Sequence, residues 1–76
     1  MWLDAYDISK QEWIELIDNW VLNEKYRAVV KRKWLDGVTG EQVAEEFDLS
    51  PRHVAQICYR CKCRIIPHIP SEKKTK

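Results

Sequence analysis

Arg52 and Gln56 stand four residues apart in SPRHVAQICYRCKCR, residues 50–64. In a helix that spacing puts both side chains on one face, one turn apart. An arginine fork can pair with guanine O6 and N7, and a glutamine amide with adenine N6 and N7. Ala55 lies beside them and is grouped with them as a base-reading position. With Val54 set at zero, Ile57, Cys58, Cys61 and Ile65 fall within about 60° of it and form a buried stripe. Arg52, Gln56, Tyr59 and Cys63 fall opposite, with Arg60 alongside. Tyr59, Arg60, Lys62 and Arg64 suit phosphate contacts. So do Ser50 and His53 at the start of the run and Lys31 and Arg32 on the preceding helix, since cations and polar groups position a protein on the duplex backbone.

Other chemistry is less well served. Cys58-x2-Cys61-x-Cys63-x4-His68 holds four potential zinc ligands. On one helix, however, Cys58 and Cys63 point about 140° apart, so the thiolates converge only if the helix breaks. Cys58 and Cys61 read more simply as small core residues, Cys63 as an exposed thiol, and His68 as a residue without a role of its own. No nucleophile–base set and no glycine-rich phosphate loop is present. Ser9 and Ser50 read as helix caps, and Glu41, Glu45, Glu46 and Asp48 as a solvated helix face. The pattern points away from an enzyme and implies no cofactor.

The run that carries these residues must be held by others. Ser9-Lys10-Gln11-Glu12 is a capping box, so a helix is expected from Lys10, with Trp13, Ile14, Ile17, Trp20 and Val21 on one face. Asn23 caps a second helix carrying Tyr26, Val29, Val30 and Trp34 inward, and Asp36-Gly37 stops it. Thr39 to Gln42 repeats the box with glutamine as its last member and opens a short third helix with Val43, Ala44 and Phe47 inward. Ser50 then caps again, and Pro51 takes the first helical position, where its missing N–H costs nothing. Two helices joined by so short a turn, with the small Ala44 inside the first and Leu49 plugging the turn, make a helix-turn-helix. The fourth helix runs to about Arg64 or Ile66, before Pro67.

Composition agrees with one small all-α domain of about four helices. The 76 residues are 45% hydrophobic and 33% charged, with only two glycines and three prolines. A core this small depends on large side chains. Trp13, Trp20 and Trp34 are expected in it, with Trp2 as a lid. Charge alternates in blocks: residues 1–24 are net −5, 25–35 net +5, 36–48 net −5 and 49–70 net +4. Such blocks suit either a positive face for phosphates or solvated helix faces paired with one another. Three cysteines, an acidic start and no membrane-length apolar run predict a cytoplasmic protein with reduced thiols and no membrane partner.

GVTGEQVAEEFDLSPRHVAQI resembles region 4 of bacterial sigma factors and the small sigma-region-4-like regulators of phages and mobile elements. The resemblance rests on Thr39, Glu41, Val43-Ala44, Phe47-Asp48, Leu49-Ser50, Val54 and Gln56-Ile57, and LNEKYRAVVKRKWLDG is similar to the helix before that motif. It covers about residues 22–66. It implies a recognition helix, about 51–66, in the major groove of double-stranded, promoter-like DNA, and contact with RNA polymerase. Housekeeping sigma factors open that helix with arginine and glutamate where this chain has Pro51 and Arg52. They have arginine then glutamine where it has Ala55 and Gln56, so only the glutamine is kept. With no residues for the other sigma regions, a stand-alone transcriptional regulator is the expectation. The expected organisation is an arm at 1–8, the DNA-binding domain at 9–66 and a basic flexible tail at 67–76. The rival is an adaptor that docks on RNA polymerase or a sigma factor without touching DNA. The wide apolar coverage of the first helix also offers a surface for a homodimer.

Overall fold

The computed structural model describes residues 2–73. Four helices form: α1 Lys10–Trp20, α2 Glu24–Trp34, α3 Gly40–Glu46 and α4 Pro51–Ile65. Short 3-10 turns lie at Trp2–Ala5, Ile66–His68 and Ser71–Lys73. The described residues form no β-strand.

Each helix begins where a polar side chain captures a free amide. Ser9 and Glu12 form the reciprocal box, both bonds 3.2 Å. Asn23 Oδ1 accepts from the Tyr26 amide at 3.1 Å, Thr39 Oγ1 from Gln42 at 3.2 Å, and Ser50 Oγ from His53 at 3.1 Å. At Thr39 the hydroxyl–amide half of the expected box is the half that forms.

The stop between α3 and α4 is a Schellman turn. Asp48 takes the left-handed conformation, φ 55°. The Leu49 amide donates to the Ala44 carbonyl at 2.8 Å and the Asp48 amide to Glu45 at 3.4 Å. Aspartate tolerates that conformation better than most residues. One residue later Ser50 and Pro51 restart the chain as α4.

α4 is the central element and packs against each of the other three helices. Its Val54, Ile57, Cys61 and Ile65 are buried with Val43 and Ala44 of α3, Val29, Val30 and Trp34 of α2, and Trp13 and Ile17 of α1. Each fully buried aliphatic side chain contributes roughly 1.5–3 kcal/mol. Trp2 lies edge-on against Trp13, Trp34 and Tyr6, with ring centroids 5.4, 5.2 and 6.0 Å away. That is the lid expected of it.

Two expectations give way. Trp20 is not a core residue: it is 38% exposed and stacks face to face on His68, 3.4 Å between centroids. The last residue of α1 has passed beyond the core stripe, and the 3-10 turn after α4 brings an imidazole to cover it. The segment after Ile65 is also no free tail as far as Lys73. Ile69 is buried, the Asp7 amide donates to the Lys73 carbonyl, and Lys73 Nζ pairs with Glu12 at 3.2 Å. Lys74–Lys76, the rest of the expected tail, lie outside the described residues. α1 spends Trp13 and Ile17 on the core and half-buries Ile14 and Leu16, so little of its apolar face stays open for a second copy.

Candidate nucleic-acid interface

The stop and restart at Asp48–Pro51 let α4 turn one side to the core and leave the other in solvent. Arg52, His53, Ala55, Gln56, Tyr59, Arg60, Cys63 and Arg64 are exposed, and Tyr59 keeps 69% of its surface. Arg52, Ala55, Gln56, Tyr59 and Arg60 line one shallow hollow of about 330 Å³. The candidate base-reading residues are thus brought together with two of the candidate backbone contacts. Ser50 is exposed too, but its hydroxyl is engaged as the cap of α4.

Ion pairing sorts the remaining cations. Lys31 Nζ lies 2.6 Å from Asp18 of α1. Arg32 forks onto Glu46 of α3 at 2.9 and 3.0 Å and also reaches Asp36 at 3.1 Å. The Glu46 carboxylate, with Asp36, holds the Arg32 guanidinium above its ordinary range, and Arg32 holds Glu46 below the usual carboxylate range. Both cations expected at phosphates therefore face acids of the same chain and tie α2 to α1 and α3. By contrast, Lys33, Arg52, Arg60, Lys62 and Arg64 pair with no acid among the described residues. Lys62 is half-buried, with its ammonium 5.4 Å from the centre of the Trp2 ring.

Lys33 escaped the sequence reading. Three cations follow one another in Lys31-Arg32-Lys33, and only the placement of Asp18 and Glu46 decides which stays free. Lys33 lies beside α4, lining one cleft with Ala55, Tyr59 and Lys62. The opposite sign sits on α3 and its turn, where Glu41, Glu45 and Asp48 are exposed. Among the described residues, uncompensated positive charge is thereby confined to α4 and the adjoining end of α2, apart from Lys10 and Lys25 at two helix starts.

The cysteines form no metal cage. Among the described residues no three His, Cys, Asp or Glu side chains gather as ligands would. Cys61 is buried, Cys58 half-buried and Cys63 exposed. Burial pushes the Cys58 thiol up, and the Cys61 thiol up to about 11. No helix among the described residues is long and apolar enough to cross a membrane. No family model, curated protein or solved structure matches the chain.

Proposed function

We propose that this chain is a sequence-specific DNA-binding regulator of transcription, with α4 as its recognition helix in the major groove. The observation that carries the proposal is the exposed, unpaired Arg52–Gln56–Tyr59–Arg60 side of a helix whose other side is locked in the core. An α-helix fits the major groove of B-DNA, and arginine and glutamine are the side chains with bidentate partners there. Arg52, Ala55 and Gln56 are assigned to base edges. Tyr59, Arg60, Lys62 and Lys33 are assigned to the backbone, with His53 at the start of the helix. Lys31 and Arg32 are left out, because turning them to phosphate would break their pairs with Asp18 and Glu46. The resemblance to sigma region 4 supports the same orientation and, with DNA as partner, a cytoplasmic setting.

One observation favours an additional protein contact. Leu22, in the α1–α2 turn, is 73% exposed and lines a hollow with Tyr26, Arg60 and Arg64. An apolar residue beside free arginines suits an acidic protein surface, such as one on RNA polymerase.

The test is selection from random-sequence duplexes by gel shift. The proposal expects an enriched motif. Arg52→Ala should relax one base position, a loss of roughly 1–3 kcal/mol in discrimination. Lys62→Ala should weaken all sequences alike. If no duplex is retained, the adaptor reading replaces this one.

A further inference from the structure

Between Trp2, the end of α2 and the inner flank of α4 lies a cleft of about 240 Å³. Its walls are apolar: the indoles of Trp2 and Trp34, the Pro51 ring, Val54, Ala55 and Tyr59. The Trp2 and Trp34 rings meet edge-on at 5.2 Å, so the cleft has an aromatic corner. Two cations line it, Lys33 and Lys62, and no carboxylate does. Neither lysine is paired with an acid among the described residues, and the Lys62 ammonium is held 5.4 Å from the Trp2 ring.

These features select an occupant. The two uncompensated charges disfavour a cation and leave a neutral molecule without a partner for them. A bare phosphate would satisfy the lysines but leave the aromatic walls uncovered. A flat apolar body with one acidic group meets both requirements, burying its rings against indole and turning its charge to the two lysines that line the cleft. Pockets for drug-sized ligands measure about 300–1,000 Å³, so this smaller cleft suits one or two rings. We infer that the Trp2–Trp34 cleft binds a small aromatic carboxylate.

Ala55 and Tyr59 line both this cleft and the outward hollow of α4. An occupant therefore bears on the two side chains nearest the reading residues and competes with phosphate for Lys33 and Lys62. It would act as an effector that weakens DNA binding. That second half rests on the proposed DNA-binding function; the binding site itself does not.

The probe is 2-naphthoate, titrated into the full chain without DNA and followed by the indole N–H signals in 1H–15N NMR. Saturable shifts are expected at Trp2 and Trp34 and none at Trp20, which stacks on His68 away from the cleft. The neutral analogue 2-naphthalenemethanol should bind about tenfold more weakly, as should the wild-type probe to a Lys33→Met/Lys62→Met variant. Ala55→Phe, which fills the cleft, should abolish saturation while far-UV circular dichroism stays unchanged. Equal binding of the alcohol, or shifts at Trp20 matching those at Trp2, would overturn the site. The regulatory half is measured separately, as the change in affinity for a selected duplex on adding naphthoate. A saturable cleft with unchanged DNA affinity refutes only that half. A chain that binds naphthoate but no DNA refutes the DNA-binding function and leaves the site standing.

Discussion

The two glycines of the chain bracket the corner between α2 and α3, and the same substitution should act on them with opposite signs. Gly37 has φ +70°, and a Cβ there would meet nothing within 4 Å. The cost of Gly37→Ala is therefore backbone strain alone, roughly 1–2 kcal/mol for an L-residue in the left-handed region. The lower entropy of the unfolded chain returns about 0.4–1 kcal/mol, leaving a net loss of about 0.8 kcal/mol at the middle of both ranges. Gly40 is the first residue of α3, and its added Cβ would lie 3.8 Å from Lys33 Cε, an ordinary contact. With no strain to offset it, the entropic gain stays, and Gly40→Ala should stabilise by about 0.5 kcal/mol. For a domain of this size 1 kcal/mol moves Tm by roughly 4–8 °C. Gly37→Ala should thus lower Tm by about 3–6 °C and Gly40→Ala raise it by about 2–4 °C, read by circular dichroism at 222 nm. Shifts of the same sign for both variants would show that the corner is not built as described. The corner matters for function because it sets α3, and with it α4, over the end of α2.

Thiol reactivity should follow burial: Cys63 alkylates first at pH 8, while Cys58 and Cys61, whose thiols burial pushes upward, lag far behind. Comparable labelling of all three, read by mass spectrometry, would contradict the packing of α4. Arg32→Met should leave the salt dependence of DNA binding unchanged, because its charge is spent on Glu46 and Asp36. Lys33→Met should lower the slope of log K against log salt by about 0.9. The reverse pattern in salt titrations would put the wrong lysine-rich edge on the DNA. The Glu46 carboxyl lies below its ordinary value of 4.5 because Arg32 bonds its ionised form. Its contribution is present above that value and lost as pH falls through the lowered one. Glu46→Gln should therefore flatten the acid limb of the stability–pH curve, and an unchanged limb would argue that the pair does not form in solution.

What the sequence disclosed was local. Ser9, Asn23, Thr39 and Ser50 each announce a helix start through chemistry confined to three residues, and all four bonds form. The stripe Val54, Ile57, Cys61, Ile65 is likewise a matter of spacing along one helix. Where the outcome depends on a residue far along the chain, local reading failed. Lys31 and Arg32 find Asp18 and Glu46 thirteen and fourteen positions away. Trp20 finds His68 rather than the core, and Ile69 anchors a segment whose charged end suggested freedom. The outward side of α4 was legible because exposure on one side of a helix follows from burial on the other. Which neighbouring cation joins it was not, because that is a question of tertiary ion pairing.

The most direct test of the central claim is the affinity of the chain for duplex DNA as a function of salt. With Lys33, Arg60 and Lys62 each neutralising a phosphate, log K should fall against log salt with a slope of about −2.7, and Arg60→Gln should reduce that slope by about 0.9. Binding that is absent at low salt, or that does not change as salt is raised, would contradict the assignment of the outward side of α4 to DNA.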